Sequence, residues 1–392
     1  MTAGYEVVVV GGGIIGAAVA FHLAEAGVRR VLVCEQAMPP GRGATTRSGG
    51  LLRQHHTARC DVDLAVRGIS AYHDWAARVG GDAGYRRTGF AVLVAGRYAD
   101  ALAKNVAAVN EAGGRSEVIT PGELAALHPG LAVPADVAVG YEPDGGYADA
   151  VTATRELLAA AVARGVTVAE GVRVTGIDTT GDRVRAVHTN LGAVHTDRVV
   201  LCGGAWSGEL LAALRDGDGL DLPALPVTAR RIAIARAATA HSPGALPIGI
   251  DDTLGTYFRP ADDGGMYFGV PLDPAVDPAA DPEPMTGPAA RAAATTLVPR
   301  VPALRDAPVL AARVGFDAYS ADKRPVIGPA GPEGLYLCTA FSGGGVKVAP
   351  AVGELAADEI VHGTTAPLLE PYRPRRFGAG ALIESEFPYE HM

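Results

Sequence analysis

Tyr5-Glu6-Val7-Val8-Val9-Val10 runs straight into Gly11-Gly12-Gly13-Ile14-Ile15-Gly16, and residues 17–26 (AAVAFHLAEA) carry the chain on to Gly27. A short, continuous apolar run is the pattern of a strand buried on both faces. The alanine-rich segment reads as a helix stopped by glycine. Val31-Leu32-Val33-Cys34-Glu35 then supplies a second buried strand that ends in an acid. Each part of this βαβ unit can help to hold a dinucleotide. Gly11 permits the tight turn, Gly13 lets a pyrophosphate approach the backbone, and Gly16 lets helix and strand pack closely. The helix start at Ile14 and Ile15 offers N–H groups and a partial positive charge to phosphates. Glu35, nineteen residues after Gly16 and followed by Gln36, places a carboxylate where it can accept both ribose hydroxyls of an adenosine. An acid there argues against a 2′-phosphate but does not separate NAD from FAD.

Outward from this unit, the 392 residues suggest two or three domains. Hydrophobic residues make up 48% and charged residues 20%, the balance of a packed globular protein. The net charge of −9, with no block of basic residues, argues against nucleic acid or an anionic membrane as partner. Four cysteines lie far apart without a CxxC or a Cys/His ligand spacing, so neither a disulfide framework nor a metal site is expected. No basic leader precedes the first strand and no run approaches the ~20 apolar residues of a membrane span. These features give the expectation of a soluble cytoplasmic protein, and they say nothing of its oligomeric state. Lysine occurs only at Lys104, Lys323 and Lys347.

Residues 41–56 (GRGATTRSGGLLRQHH) form a loop of small and hydroxyl side chains, suited to lying against a flat cofactor. A helix is expected over 64–79. The stretch from 85 to 144, with a strand at 90–94 and helices at 98–112 and 121–127, reads as an inserted piece of another domain. Thr120, Pro121 and Glu123 form a capping box for the second of these helices. A helix at 150–163, alternating strands at 172–177 and 183–189, and a buried strand ending in Cys202-Gly203-Gly204-Ala205-Trp206 return to the first domain. Strands at 232–236, 256–260 and 266–269, an irregular connection at 272–287 and a helix at 288–297 suggest a more antiparallel domain. The architecture expected is α/β: a Rossmann-like domain from 1–84, 145–222 and 312–365, a discontinuous antiparallel-sheet substrate domain from 85–144 and 223–311, and a tail at 366–392.

The last third decides the cofactor. Leu335-Tyr336-Leu337-Cys338-Thr339-Ala340 leads to Phe341-Ser342-Gly343-Gly344-Gly345-Val346-Lys347 and a helix over 349–361. Strand, glycine cluster and helix start are repeated, so a second helix N-terminus is aimed at an electron-rich group. A reduced flavin gathers negative charge at N1 and C2=O, whereas a nicotinamide enzyme has no use for such an element. The dinucleotide expected is FAD.

The βαβ unit with Glu35, the 46–53 loop, LCGGAW, RPVIG and FSGGGVK together resemble the D-amino-acid-oxidase-like FAD oxidoreductases, in particular monomeric sarcosine oxidase and glycine oxidase. The resemblance spans Val7 to Val361. It implies FAD contacts at Gly11, Gly13, Ile14, Ile15, Gly16, Glu35, Gln36, Thr45, Thr46, Ser48, Gly49, Gly50, Val174, Gly203, Trp206, Gly343, Gly344, Gly345, Val346 and Lys347. Arg53 and Lys347 match the two cations that hold the substrate carboxylate in the sarcosine oxidase branch, and Tyr257 matches a tyrosine near the substrate. The arginine used by glycine oxidases is replaced by Asp317. Sarcosine oxidases attach FAD through a cysteine where this chain has Gly315, and relatives use a histidine near the position of Arg47, so the FAD expected here is non-covalent. The lysine that activates oxygen aligns with Tyr267. His55 and His56 lie near the site and are not assigned as catalysts. The activity implied is oxidation of a secondary α-amino acid with a free carboxylate, an N-substituted glycine first, with O2 as acceptor. The alternative is a dehydrogenase or electron-transferring subunit acting on proline, hydroxyproline or a 2-hydroxy acid.

Overall fold

The computed structural model describes residues 4–216, 222, 224–239, 244–270, 275–278 and 285–392, apart from the side chains of 311 and 312. The opening unit folds as strand Val7–Val10, helix Ile14–Glu25 and strand Val31–Glu35. Val7, Val8 and Val9 have no exposed surface because helices cover one face of their sheet and a smaller sheet packs on the other. The helix is apolar nearly all round because it is clasped by two others, Ala150–Val162 and Gly345–His362. Close approach of the last pair needs a glycine, since a Cβ on Gly353 would come within 2.6 Å of the Ala18 carbonyl carbon.

Six strands form the first sheet in the order Val326–Pro329, Leu335–Thr339, Val199–Leu201, Val7–Val10, Val31–Glu35, Thr167–Glu170. All neighbours are parallel except the first pair. The glycine turns after Val10, Leu201 and Thr339 therefore emerge from one edge, the carboxyl ends where ligands of such sheets bind. A three-stranded antiparallel sheet, Val174–Thr179, Val184–Thr189 and Gly192–His195, lies beside it.

Eight strands form the other large sheet: Val309–Tyr319, Thr228–Ala237, Met266–Val270, Thr256–Pro260, Ile248–Asp251, Phe90–Ala95, Val137–Glu142 and Glu117–Ile119, in that order. Only the Ile248–Asp251 and Phe90–Ala95 pair is parallel. The helix Gly287–Leu297 packs on one face over Phe258 and Phe268. Alternation then turns Tyr257 to the opposite face, toward the glycine turns. The protein is thus an α/β fold with a parallel dinucleotide-type sheet facing a mostly antiparallel one. Among the described residues no helix is long and apolar enough to cross a membrane, and no cluster of three or more metal-ligating side chains occurs.

Three expectations change. The helix expected over 64–79 is two pieces, Arg59–His73 and Trp75–Arg78, because Trp75 turns inward to stack on Tyr72 at 5.1 Å. Residues 312–319, expected to open the last piece of the first domain, belong instead to the long strand that pairs with Thr228–Ala237. Residues 366–392 are no loose tail. Tyr372 is fully buried and donates to Asp61 at 2.9 Å, Arg376 pairs with Asp322 at 2.7 Å, and Tyr389 stacks on His55. Most of the irregular connection expected at 272–287 lies outside the described residues.

Candidate active site

A cavity of about 1130 Å³ runs along the carboxyl edge of the six-stranded sheet and ends against the face of the eight-stranded one. At its start lies Glu35, buried at the end of its strand. One carboxylate oxygen accepts the Gly12 amide at 2.8 Å and the other accepts the Ala37 amide at 2.9 Å. Two neutral donors fix the carboxylate and leave lone pairs on both oxygens for a diol. Beside it the chain turns at Gly11, whose φ of 108° and distance from the Cys202 carbonyl oxygen (2.5 Å from an added Cβ) exclude other residues. Gly13 caps the first helix without a side-chain cap, and the Ile14 amide donates to Thr45 Oγ1 at 3.1 Å.

The second helix start is built differently. Ala340, Ser342 and Gly343 all take left-handed backbone conformations, with φ of 57°, 48° and 83°. Strained turns of this kind persist where the surroundings hold them. Here the Ser342 amide donates to the Ala318 carbonyl at 3.0 Å, and the Gly343 amide donates to Asp317 Oδ2 at 2.6 Å. Gly344 then caps Gly345–His362, again without a side-chain cap. Pro350 inside this helix cannot donate to the Val346 carbonyl; the Tyr72 hydroxyl donates to it instead, at 2.7 Å. That bond supports the turn carrying Lys347. Tyr72→Phe should therefore cost about 1–3 kcal/mol of stability by leaving a buried carbonyl unpaired, measured by urea unfolding of the holoenzyme. An unchanged midpoint and slope would refute this role.

At the far end stand the charged side chains. Lys347 is only 5% exposed. Burial pushes its ammonium down to about 7; Arg53 and Arg324 lower it further, while Asp61 and Asp317 oppose them. Arg53 is half-buried and donates to the His55 carbonyl. Its pKa is pulled down to about 10 by burial, against the fields of Glu142 and Asp61, so it stays charged at neutral pH. Among the described residues neither cation has a carboxylate within ion-pairing distance. Arg324, by contrast, is paired with Asp61. Glu142 anchors the Arg53 loop by accepting the Gln54 amide at 2.8 Å, and burial raises its carboxyl to about 7. Tyr257 forms a wall, its hydroxyl pushed up to about 12 by burial.

Of the residues expected to touch FAD or substrate, all line this one cavity except Gly16 and Thr46. Gly16 is a packing glycine, its α-carbon lying against the Gly11 carbonyl. Thr46 is turned away, its hydroxyl donating to the Gly43 carbonyl at 3.1 Å. Gly315 lies against the side chain of Arg47, so the position where the resemblance implies a cysteine and the residue near which it implies a histidine meet here. Tyr267 does not line the cavity; it packs beneath the Arg259 guanidinium at 4.5 Å. His55 bonds Tyr389 at 3.0 Å, and burial pushes His55 down to about 3 and His56 well below the usual range. Both rings are neutral. Asp61 and the residues His391 and Met392 also line the cavity without having been expected there, and Arg324, quoted only as the first residue of RPVIG, joins them. Nothing local in the sequence marks Asp61, His391 or Met392, because distant contacts place them.

The donor set fits FAD: a fixed carboxylate for a ribose, glycine turns for a pyrophosphate, and a second uncapped helix start beyond them. The family model for FAD dependent oxidoreductases of the DAO type matches residues 6–359. The chain is 28% identical to the bifunctional protein ThiO/ThiG of Trichormus variabilis, covering 98% of this chain and 57% of that one. It is 26% identical to the mitochondrial sarcosine dehydrogenase of Mus musculus, over 95% of this chain and 41% of that one. The chain thus spans about half the length of the curated relatives it matches. Among solved structures, L-proline dehydrogenase from P. horikoshii superposes with a TM-score of 0.86 at 28% identity, over 97% of this chain and 100% of that one. Glycine oxidase from Geobacillus kaustophilus gives a TM-score of 0.81 at 24% identity, over 95% and 98% of the two chains, and shares the fold. Built from these turns and this donor set, the chain belongs to the DAO family of FAD-dependent oxidoreductases.

Proposed function

We propose that the protein oxidises a secondary α-amino acid at the carbon next to nitrogen, with N-substituted glycines the first class of substrate. One observation carries this reading: half-buried Arg53 and buried Lys347 are cations without ion-pair partners among the described residues, on the wall of the cavity that fits FAD. An unpaired cation out of water is costly, and a substrate carboxylate would pair with both. FAD, held without a covalent link, would supply the acceptor for one hydride, that is, two electrons and a proton. The protein orients the substrate: two charge-assisted contacts fix its carboxylate, Tyr257 closes one side, and Asp317 and the neutral His56 complete the far wall. The imine product hydrolyses in water, and O2 takes the electrons to give peroxide.

A second reading, a dehydrogenase of L-proline or a related cyclic amino acid, is supported by two observations. Tyr267 stands where oxidases of the family carry a lysine, and the P. horikoshii L-proline dehydrogenase aligns over its whole length. The two readings share the site and differ in the acceptor. The test is anaerobic flavin reduction against N-alkylglycines, glycine, proline and D-amino acids, followed by peroxide and dye-reduction assays in air with the best reductant. Peroxide matching turnover is expected for the oxidase. Dye reduction without peroxide would overturn the oxidase in favour of the dehydrogenase, and no bleaching by any amino acid would overturn both.

A further inference from the structure

One acidic side chain on the cavity wall, Asp317, has no ion-pair partner among the described residues. Asp317 lies on Val309–Tyr319, on the strand face opposite Ala318, which is buried in the core. It is 8% exposed and lines the cavity. Its Oδ1 accepts the Ala318 amide at 2.8 Å and its Oδ2 the Gly343 amide at 2.6 Å. Both donors are neutral and each oxygen keeps a lone pair. Among the described residues no cation lies within ion-pairing distance of it. Facing it are Lys347 from the Gly345–His362 helix, Tyr257 from Thr256–Pro260 and Tyr319 from its own strand.

The cavity therefore holds three ionisable groups without ion-pair partners among the described residues: half-buried Arg53 and buried Lys347, which can be positive, and buried Asp317, which can be negative. Burial raises the Asp317 carboxyl to about 6, with the two amides and Lys347 pulling the other way, so at neutral pH most of it is ionised. An anion kept in this setting is stabilised by a cation that completes it. A carboxylate held by Arg53 and Lys347 balances the net charge but gives Asp317 no direct partner; a ligand that also carries a positive nitrogen gives it one.

We propose that Asp317 binds the ammonium group of the substrate, so that the site takes a zwitterion with its carboxylate toward Arg53 and Lys347 and its cationic nitrogen toward Asp317, one N–H proton leaving to water before the hydride transfers. This inference rests on the function proposed above and narrows it. It selects α-amino acids over 2-hydroxy acids of the same shape, which present no positive charge. If Asp317 served only to tether the Gly343 turn, it would support both kinds of ligand alike.

The test uses the FAD-loaded protein and two matched pairs of probes: L-proline with tetrahydro-2-furoate, and sarcosine with methoxyacetate. Within each pair an ether oxygen replaces the nitrogen. Amine affinity is read from the half-saturating concentration for anaerobic flavin reduction, ether affinity from the shift in flavin absorbance. Wild type should favour the amine of the accepted pair by about tenfold or more, the scale of one charge-assisted contact. Asp317→Asn should remove most of that preference by weakening the amine, with the ether unchanged. Equal weakening of both, or no preference in wild type, would overturn the assignment. The wild-type comparison needs no variant and so stands even if Asp317→Asn fails to hold FAD. The two levels of the reading separate cleanly. Ether binding that depends on Lys347 while Asp317→Asn changes nothing removes only the Asp317 assignment. A wild type that binds neither member of either pair removes the carboxylate reading and this inference with it.

Discussion

Lys347→Met should raise the KM for the amino-acid substrate by about tenfold or more, the loss of one charge-assisted hydrogen bond of ~1.5–3 kcal/mol. The position makes this a sharp test. Lys347 stands in the first turn of Gly345–His362, where the helix field disfavours a cation, and burial adds to the cost. The fields of Asp61 and Asp317 offset only part of it, and no carboxylate pairs with Lys347 among the described residues. Methionine matches its length and apolar stem, so the helix should keep its place and the flavin spectrum should change little. The pH profile adds an independent mark. With the free-enzyme ammonium lowered to about 7, kcat/KM should fall as pH rises through that region, because the neutral amine cannot pair with a carboxylate. A bound carboxylate raises the pKa again, so kcat should hold to higher pH. Lys347→Arg keeps the charge and should move the alkaline limb upward. An unchanged KM in Lys347→Met would sink the assignment.

Gly11→Ala should produce a folded chain that does not retain FAD. An alanine Cβ would sit 2.5 Å from the Cys202 carbonyl oxygen, on a backbone with φ of 108°. Relief of that contact must push apart the ends of two adjacent parallel strands, just where the pyrophosphate is expected to approach. The combined strain is about 3 kcal/mol or more, roughly a hundredfold in FAD affinity. Bound FAD per chain after gel filtration, with a fluorescence titration of the apoprotein, measures it. Gly27→Ala is the control: its φ is 92° but no atom lies within 4 Å of the added Cβ, so it should lose some stability and keep its FAD. Wild-type retention in Gly11→Ala would contradict the placement of the cofactor.

What was legible in the sequence is what short-range backbone needs dictate. The βαβ unit and the late glycine cluster both announce themselves, because a turn at positive φ followed by a helix start has few sequence solutions. The capping box at Thr120 and Glu123 is of the same kind and forms as written. The resemblance added Arg53, Lys347 and Tyr257, and the fold brings all three to one cavity. Side chains set by long-range packing escaped. Asp61 meets Arg324 and Tyr372 across most of the chain, and His55 meets Tyr389 from 334 residues away. The last residues read as a tail because their anchors, Asp322, Asp252 and Thr57, belong to other elements. Val309–Tyr319 runs across the limit expected at 312: it is one strand whose final residues serve the cavity while its length pairs in the eight-stranded sheet. Asp317 was visible as a departure from a family pattern, but its meaning needed the unpaired cations across the cavity.

The most direct test of the central claim, that this cavity binds an α-amino acid by its carboxylate and oxidises it with FAD, is anaerobic bleaching of the holoenzyme by matched amines. Sarcosine is compared with dimethylamine and L-proline with pyrrolidine, each pair differing only in the carboxylate. Bleaching by at least one of the acids, with its carboxylate-free partner slower by about a hundredfold or more at equal concentration, is the result predicted. Equal bleaching by both members of a pair, or none by either acid, would contradict it.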